Sequence, residues 1–207
     1  MNGSFQKDRM KQTRKEIFRT SITKEEINEL EIKAYGGRIT LVEESKHIKR
    51  CIEEIRKHNI IGFDTESRPS FKKNSHHMVS LIQLAVPDEV YLFRVNKTGF
   101  HRELIDLFED PSVKKVGVSI HDDIHRLRTL QEFNPMNFIE LQKLTSEYGI
   151  ESNSLKKLTA IILGFRISKS QQLTNWEAIQ LTDPQIVYAA TDAWVSLEIY
   201  NELLLLN

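Results

Sequence analysis

Apolar residues recur along this chain in two rhythms. Between residues 43 and 58 they fall at Ile48, Cys51, Ile52 and Ile55, the spacing of one helix face, which predicts an amphipathic helix. Three strand-like runs follow: "NIIGFDTE", "MVSLIQLAV" and "EVYLFRV". The loop between the first two, "SRPSFKKNSHH", is polar and basic, and "PDE" reads as a tight turn between the second and third. Links this short predict an antiparallel meander instead of crossover units. Further on, the pattern predicts a helix at 101–109, a strand "KKVGVSI", a helix at 122–132, a strand "NFIEL", and helices from there onward. The helix at 154–163 is expected to stop at Gly164. Thr23 with Glu26 has the form of a capping box, and "TNWE" and "TDPQ" repeat that form, so all three read as helix starts. Pro184 then sits harmlessly in a first turn. A meander followed by alternating strands and helices predicts an α/β fold, with a central mixed five-stranded sheet flanked by helices.

Composition narrows the setting more than the function. The 207 residues suffice for one generous domain with a short extension, and 40% hydrophobic with 28% charged residues is ordinary for a globular protein. Lys+Arg and Asp+Glu both number 29, so net charge alone points to no polyanion, although a local basic stripe can still face one. The single cysteine, Cys51, excludes an intramolecular disulfide and suits a reducing compartment. The opening "MNGSFQKDRMKQTRK" has no apolar signal core, and no run approaches membrane-spanning length. A soluble, intracellular, cytoplasmic protein without membrane attachment is expected. Residues 1–38 read as a partly disordered N-terminal extension, with the main domain at 39–207.

The chemistry lies in acids placed where burial makes them costly. In "IIGFDTES" the strand period puts Ile60, Gly62, Asp64 and Glu66 on one face and Ile61, Phe63 and Thr65 on the other. Two like charges on one face repel unless a cation lies between them; the plainer reading ends the strand at Phe63 and solvates both acids. In "QIVYAATDAW", Tyr188 and Asp192 are four apart and share a helix face, with a surface Tyr–Asp pair as the plainer reading. In "VGVSIHDDIHRL" a strand runs into a helix through Asp122 and Asp123, either of which suits a helix N-cap. Taken together, Asp64, Glu66, Asp123 and Asp192 would make a four-carboxylate cluster. An all-oxygen set selects hard cations, Mg²⁺ or Mn²⁺, and two divalent ions would balance its charge.

These segments resemble the DEDD superfamily of 3′–5′ exonucleases, in the subclass with a tyrosine in its third motif. "FDTE" resembles the first motif, "GVSIHDDIHRL" the second and "YAATD" the third. "SLKKL" and "QLTNWEAIQLTDPQIVYAATDA" are similar to the RNase D and Werner-type branch, and the resemblance covers roughly residues 40–205. It implies an RNase H-like (DnaQ-like exonuclease) fold and a metal-dependent 3′–5′ exonuclease domain at 39–207 that hydrolyses phosphodiesters at DNA or RNA 3′ ends. It further implies Asp64, Glu66 and Asp192 as ligands of a first Mg²⁺ or Mn²⁺, with Asp64 bridging to a second ion near Asp123. Tyr188 would orient the attacking water. Thr65, Arg68, Lys72, Lys73 and Lys169 are candidates for substrate contact, with His76, His77 and a stacking Phe71 also in the basic loop. His121 and His125 read as surface residues. Two departures stand out: Glu140 occupies a position where relatives often carry Asp, and no counterpart of the accessory domain that follows many RNase D catalytic domains is expected, which would weigh against an RNase D-like processing role. The resemblance allows a helicase or other protein partner without naming one. A non-catalytic nucleic-acid-binding module on the same fold is one alternative, and a haloacid dehalogenase-type phosphatase is the other.

Overall fold

The computed structural model describes residues 17–69 and 78–206. Six strands, β1 (Arg38–Val42), β2 (Ile60–Ser67), β3 (Val79–Val86), β4 (Glu89–Phe93), β5 (Lys114–Gly117) and β6 (Phe138–Glu140), form one sheet in the order β1-β4-β3-β2-β5-β6. β2, β3 and β4 are the expected antiparallel meander, while β5, β6 and β1 join it in parallel. The sheet therefore has six strands where the sequence pattern predicted five. The extra one, β1, is a short edge strand in which only Val42 is fully buried, so it lacks the apolar run that marks the others.

The helices are α1 (Lys24–Glu29), α2 (Ile48–Ile55), α3 (Val95–Thr98), α4 (Arg102–Phe108), α5 (Ile120–Leu130), α6 (Leu141–Ser146), α7 (Leu155–Leu158) and α8 (Asp183–Leu205). One sheet face buries Ile61, Phe63, Ile82 and Leu84 against α2, α4 and α5. The other buries Leu81, Ala85, Val90 and Leu92 against Ala189, Ala190, Ala193 and Leu197 of α8. α7 continues into a π-helical turn, Thr159–Leu163, and Gly164 ends it in the left-handed region at φ 72°.

α8 begins at the "TDPQ" box: Thr182 accepts from the Gln185 amide, and the Gln185 side chain accepts from the Thr182 amide. "TNWE" does not start a helix; residues 171–180 run as turns and bends. Side chains have taken the groups a helix would use. Thr174 Oγ1 donates to the Gln171 carbonyl, and Gln185 Nε2 donates to Thr174 Oγ1 and the Asn175 carbonyl. The fully buried Arg94 donates to the carbonyls of Ala178 and Ile179.

The segment before β1 is tied to the same side as α7. Its capping box at Thr23 and Glu26 forms as expected, and Ile22 and Ile27 pack on Ala160. Backbone bonds join Lys33 to Arg166, Arg166 to Glu31, and Glu151 to Thr20. Among the described residues no helix is long and apolar enough to cross a membrane.

The distance between α8 and β2 is set by a missing side chain. A Cβ on Gly62 would lie 2.0 Å from the Ala193 carbonyl oxygen, a backbone atom that cannot swing aside. Gly62→Ala is expected to push α8 outward at a cost of about 1–3 kcal/mol, read as a melting temperature lower by roughly 3–10 °C. An unchanged melting curve would show that the helix has slack at this contact.

Candidate active site

A split in the sheet makes the cleft. β2 pairs with β5 only from Ile60 to Gly62, and β5 ends at Gly117, whereas β2 runs on to Ser67. Asp64, Thr65 and Glu66 thus extend beyond their neighbour on one edge, and a register irregularity between Glu66 and Ser67 shifts the pairing with β3 just after them. The cavity here, about 340 Å³, is lined by Asp64, Thr65, Glu66, Asp123, Tyr188 and Asp192, among others.

Within it the acids divide into three and one. Asp64, Glu66 and Asp192 each offer an oxygen within 4.8 Å of the others. The first two share a β2 face, and α8, lying close over Gly62, brings the third. Thr65 points to the opposite face, where its hydroxyl donates to Asp123 Oδ1 at 2.6 Å. Arg126, one turn along α5, donates to the same oxygen at 3.1 Å.

Asp123 is free for this role because another residue caps its helix. Ser119, at the N-cap position, has φ 61° and makes no side-chain cap. Glu140 at the end of β6 accepts from the amides of Ser119 (3.1 Å) and Ile120 (2.9 Å), and also from Gln142 at the start of α6. Neither Asp122 nor Asp123 is the cap: Asp122 points to solvent and Asp123 is only 4% exposed.

Crowding shows in the protonation equilibria. Burial, then Asp192, Asp123 and Glu66, hold the Asp64 carboxyl well above the usual carboxylate range. Burial, then Asp192 and Asp123, do the same to Glu66, with Arg126 opposing. Burial pushes Asp192 up to about 7 despite a hydrogen bond from Tyr188 and the nearby Lys169. Burial likewise raises Asp123 to about 6 against the pull of Thr65 and Arg126. The Tyr188 phenol, buried and facing Asp192, Glu66 and Asp64, is held above its ordinary value and donates to Asp192. The donor set is all carboxylate oxygen, converging and mutually repelling, and so fits hard divalent cations.

The remaining candidates scatter. Lys169 is exposed and lines the neighbouring groove, Arg68 sits 3.5 Å from Glu177, and His121 and His125 are exposed. Lys72, Lys73, Phe71, His76 and His77 lie outside the described residues. Sequence reading missed the roles of Glu140 and Arg126, because a cap supplied from another strand and a cation supplied one helical turn away have no local pattern. It also missed Trp176, fully buried with its ring 6.1 Å from that of Tyr188. Gln83 was missed too: it lies directly across the ladder from Asp64, fully buried, with no partner for its amide among the described residues.

A raised carboxyl pKa means that the folded protein holds protons which the unfolded chain, titrating near 4, releases. This stabilisation is complete at acid pH and lost as pH rises through about 6 for Asp123 and about 7 for Asp192. In EDTA the melting temperature is expected to fall by about 5 °C or more between pH 5 and pH 8, and to fall less in Asp192→Asn. Differential scanning calorimetry checks it; a flat profile would mean that burial and mutual repulsion do not raise these carboxyls in the folded protein.

Comparison with known proteins agrees with this geometry. A family model described as 3′-5′ exonuclease matches residues 39–206. The mouse bifunctional 3′-5′ exonuclease/ATP-dependent helicase WRN is 34% identical over 151 residues, covering 70% of this chain and 11% of that protein. The human exonuclease mut-7 homolog is 28% identical over 174 residues, covering 70% and 20%. The chain thus spans a small part of either. The Aedes aegypti Nibbler EXO domain superposes with a TM-score of 0.76 at 25% identity, covering 84% of this chain and 92% of that one. Escherichia coli RNase D shares the fold, with a TM-score of 0.75 at 24% identity over 82% of this chain and 45% of that one. With its acids on β2, α5 and α8 of an RNase H-like sheet, the chain belongs to the 3′-5′ exonuclease domain family.

Proposed function

We propose that this protein is a metal-dependent 3′–5′ exonuclease that hydrolyses phosphodiesters at the 3′ end of DNA or RNA and releases nucleoside 5′-monophosphates. The observation that carries the reading is the convergence of Asp64, Glu66 and Asp192 within 4.8 Å, with Tyr188 bonded to Asp192. Asp64, Glu66 and Asp192 would hold one Mg²⁺ or Mn²⁺, and Asp64 with Asp123 a second. When bound, such ions offset the charge of an approaching phosphodiester, acidify water and stabilise charge on the departing 3′ oxygen.

The chain's own residues do the positioning. Tyr188 keeps its proton, so its phenol acts as a neutral hydrogen-bonding group that orients water and not as a base. Thr65 and Arg126 fix one oxygen of Asp123 and leave its other oxygen for the cleft. The rim adds a hydrophobic surface in Leu173, 70% exposed, against which a terminal base can pack without its edge being read.

A non-catalytic module on the same fold would tolerate loss of one acid, and here all four are present and face one cavity. The phosphatase alternative gives no role to Tyr188 and does not suit the antiparallel meander.

The test uses 5′-labelled DNA and RNA oligonucleotides with Mg²⁺, Mn²⁺ or EDTA, and with free or blocked 3′ hydroxyls. Stepwise shortening from a free 3′ end, only with metal, is expected. Asp64→Asn should reduce it by about 1,000-fold or more, and Tyr188→Phe should lower turnover by about 100-fold with little change in metal affinity. Wild-type rates from Asp64→Asn would remove the assignment.

A further inference from the structure

The cavity over the acids does not end at Tyr188. It continues into a groove of about 380 Å³ that shares Val118, Ser119, Leu155, Gln172, Tyr188 and Asp192 with it. Beyond those shared residues the walls change character: Asn153, Ser154, Ser168, Lys156 and Lys169 are neutral hydrogen-bonding groups or cations, and among the described residues Asp192 is the only carboxylate in the lining. Acid where the scissile phosphate would sit, and base where the chain leaves it, is the charge order that a polyanion needs.

The cations come from three separate pieces of backbone. Lys156 is on α7, Arg166 and Lys169 are on the stretch after the π-helical turn, and Lys24 is on α1. They sit close enough that, after burial, Lys169, Arg166 and Lys24 each help to depress the Lys156 ammonium below its usual value. Lys156 and Lys169 line the same groove as Asp192 and Tyr188, which links the cluster to the acids. Among the described residues, no carboxylate lies within ion-pair distance of Lys24, Lys156, Arg166 or Lys169, although other surface lysines such as Lys46, Lys57 and Lys97 have such partners. An unneutralised cluster like this works against the fold and is relieved when an anion arrives.

α1 is not loosely appended. Its apolar face packs on Ala160, and the residues flanking it pair with Arg166 and Glu151 through backbone hydrogen bonds, which fixes Lys24 relative to Lys156. Resting on the exonuclease reading, we propose that the groove lined by Lys169 and Lys156, continued over the adjoining surface of α1 at Lys24, is the track of the single strand behind the scissile phosphate. On this proposal α1, which lies outside the matched family region, is part of the substrate-binding surface.

The test uses the full chain with Lys24→Gln, Lys156→Gln and the double variant, after melting curves show that each is folded. Anisotropy with labelled 12-nucleotide DNA and RNA, in EDTA over a range of salt, reads binding without turnover. Each lost phosphate contact should make the log–log salt slope shallower by about 0.7, so the double variant should lose about 1.4. With metal, the Michaelis constant for the 12-mer should rise with unchanged turnover number, and hydrolysis of a dinucleotide should not change. An unchanged slope and Michaelis constant, or an equal loss on the dinucleotide, overturns the track. A chain that binds strands with the expected slopes but never shortens them keeps the track and loses the exonuclease reading. One that binds no strand loses both.

Discussion

The whole arrangement turns on three like charges kept close together. Asp64, Glu66 and Asp192 repel one another across a few ångströms, and Arg126 near Glu66 and Lys169 near Asp192 offset only part of that charge. What holds them is packing elsewhere. Gly62 has no side chain, Ala189, Ala190 and Ala193 present a shallow helix face, and the apolar contact they allow seats α8 firmly on β2 and β3. The capping box at Thr182 and Gln185 fixes where that helix begins, and hence which residue faces the cleft. Repulsion at the site is a local debt carried by a well-packed sheet, which is how a fold can keep a binding site ready for a cation.

The fourth acid is treated differently. Asp123 is held by Thr65 and Arg126, and its helix is capped by Glu140 from the far edge of the sheet. Glu140 thus spares Asp123 the capping duty, while Thr65 and Arg126 offset part of the neighbouring charge. Glu140 also accepts from the Gln142 amide at the start of a second helix, so one side chain sets the starts of α5 and α6 together.

How much of this was legible in the sequence depended on range. Asp64 with Glu66, and Tyr188 with Asp192, share a face through the period of a single element, so their pairing could be read directly. The meander was legible because its links are short. β1 was not, since an edge strand with one fully buried residue has little apolar signal. "TNWE" misled because a capping box is a local pattern, while Arg94 and Gln185, which decide that segment, come from distant strands and helices. Glu140 as a cap, Gln83 opposite Asp64 and Lys24 beside Lys156 all arise from tertiary contact, for which no spacing rule exists.

The dependence on α8 has a consequence for biosynthesis. Asp64 and Glu66 are on the second strand, but the helix that supplies Asp192 and Tyr188 lies far along the chain. A ribosome-bound or proteolysed fragment ending before α8 would present the bare apolar side of β3 and β4 and an acidic pocket lacking Asp192 and Tyr188. The acidic cleft is therefore completed only once the polypeptide has closed on itself, and incomplete products are marked by exposed hydrophobic surface.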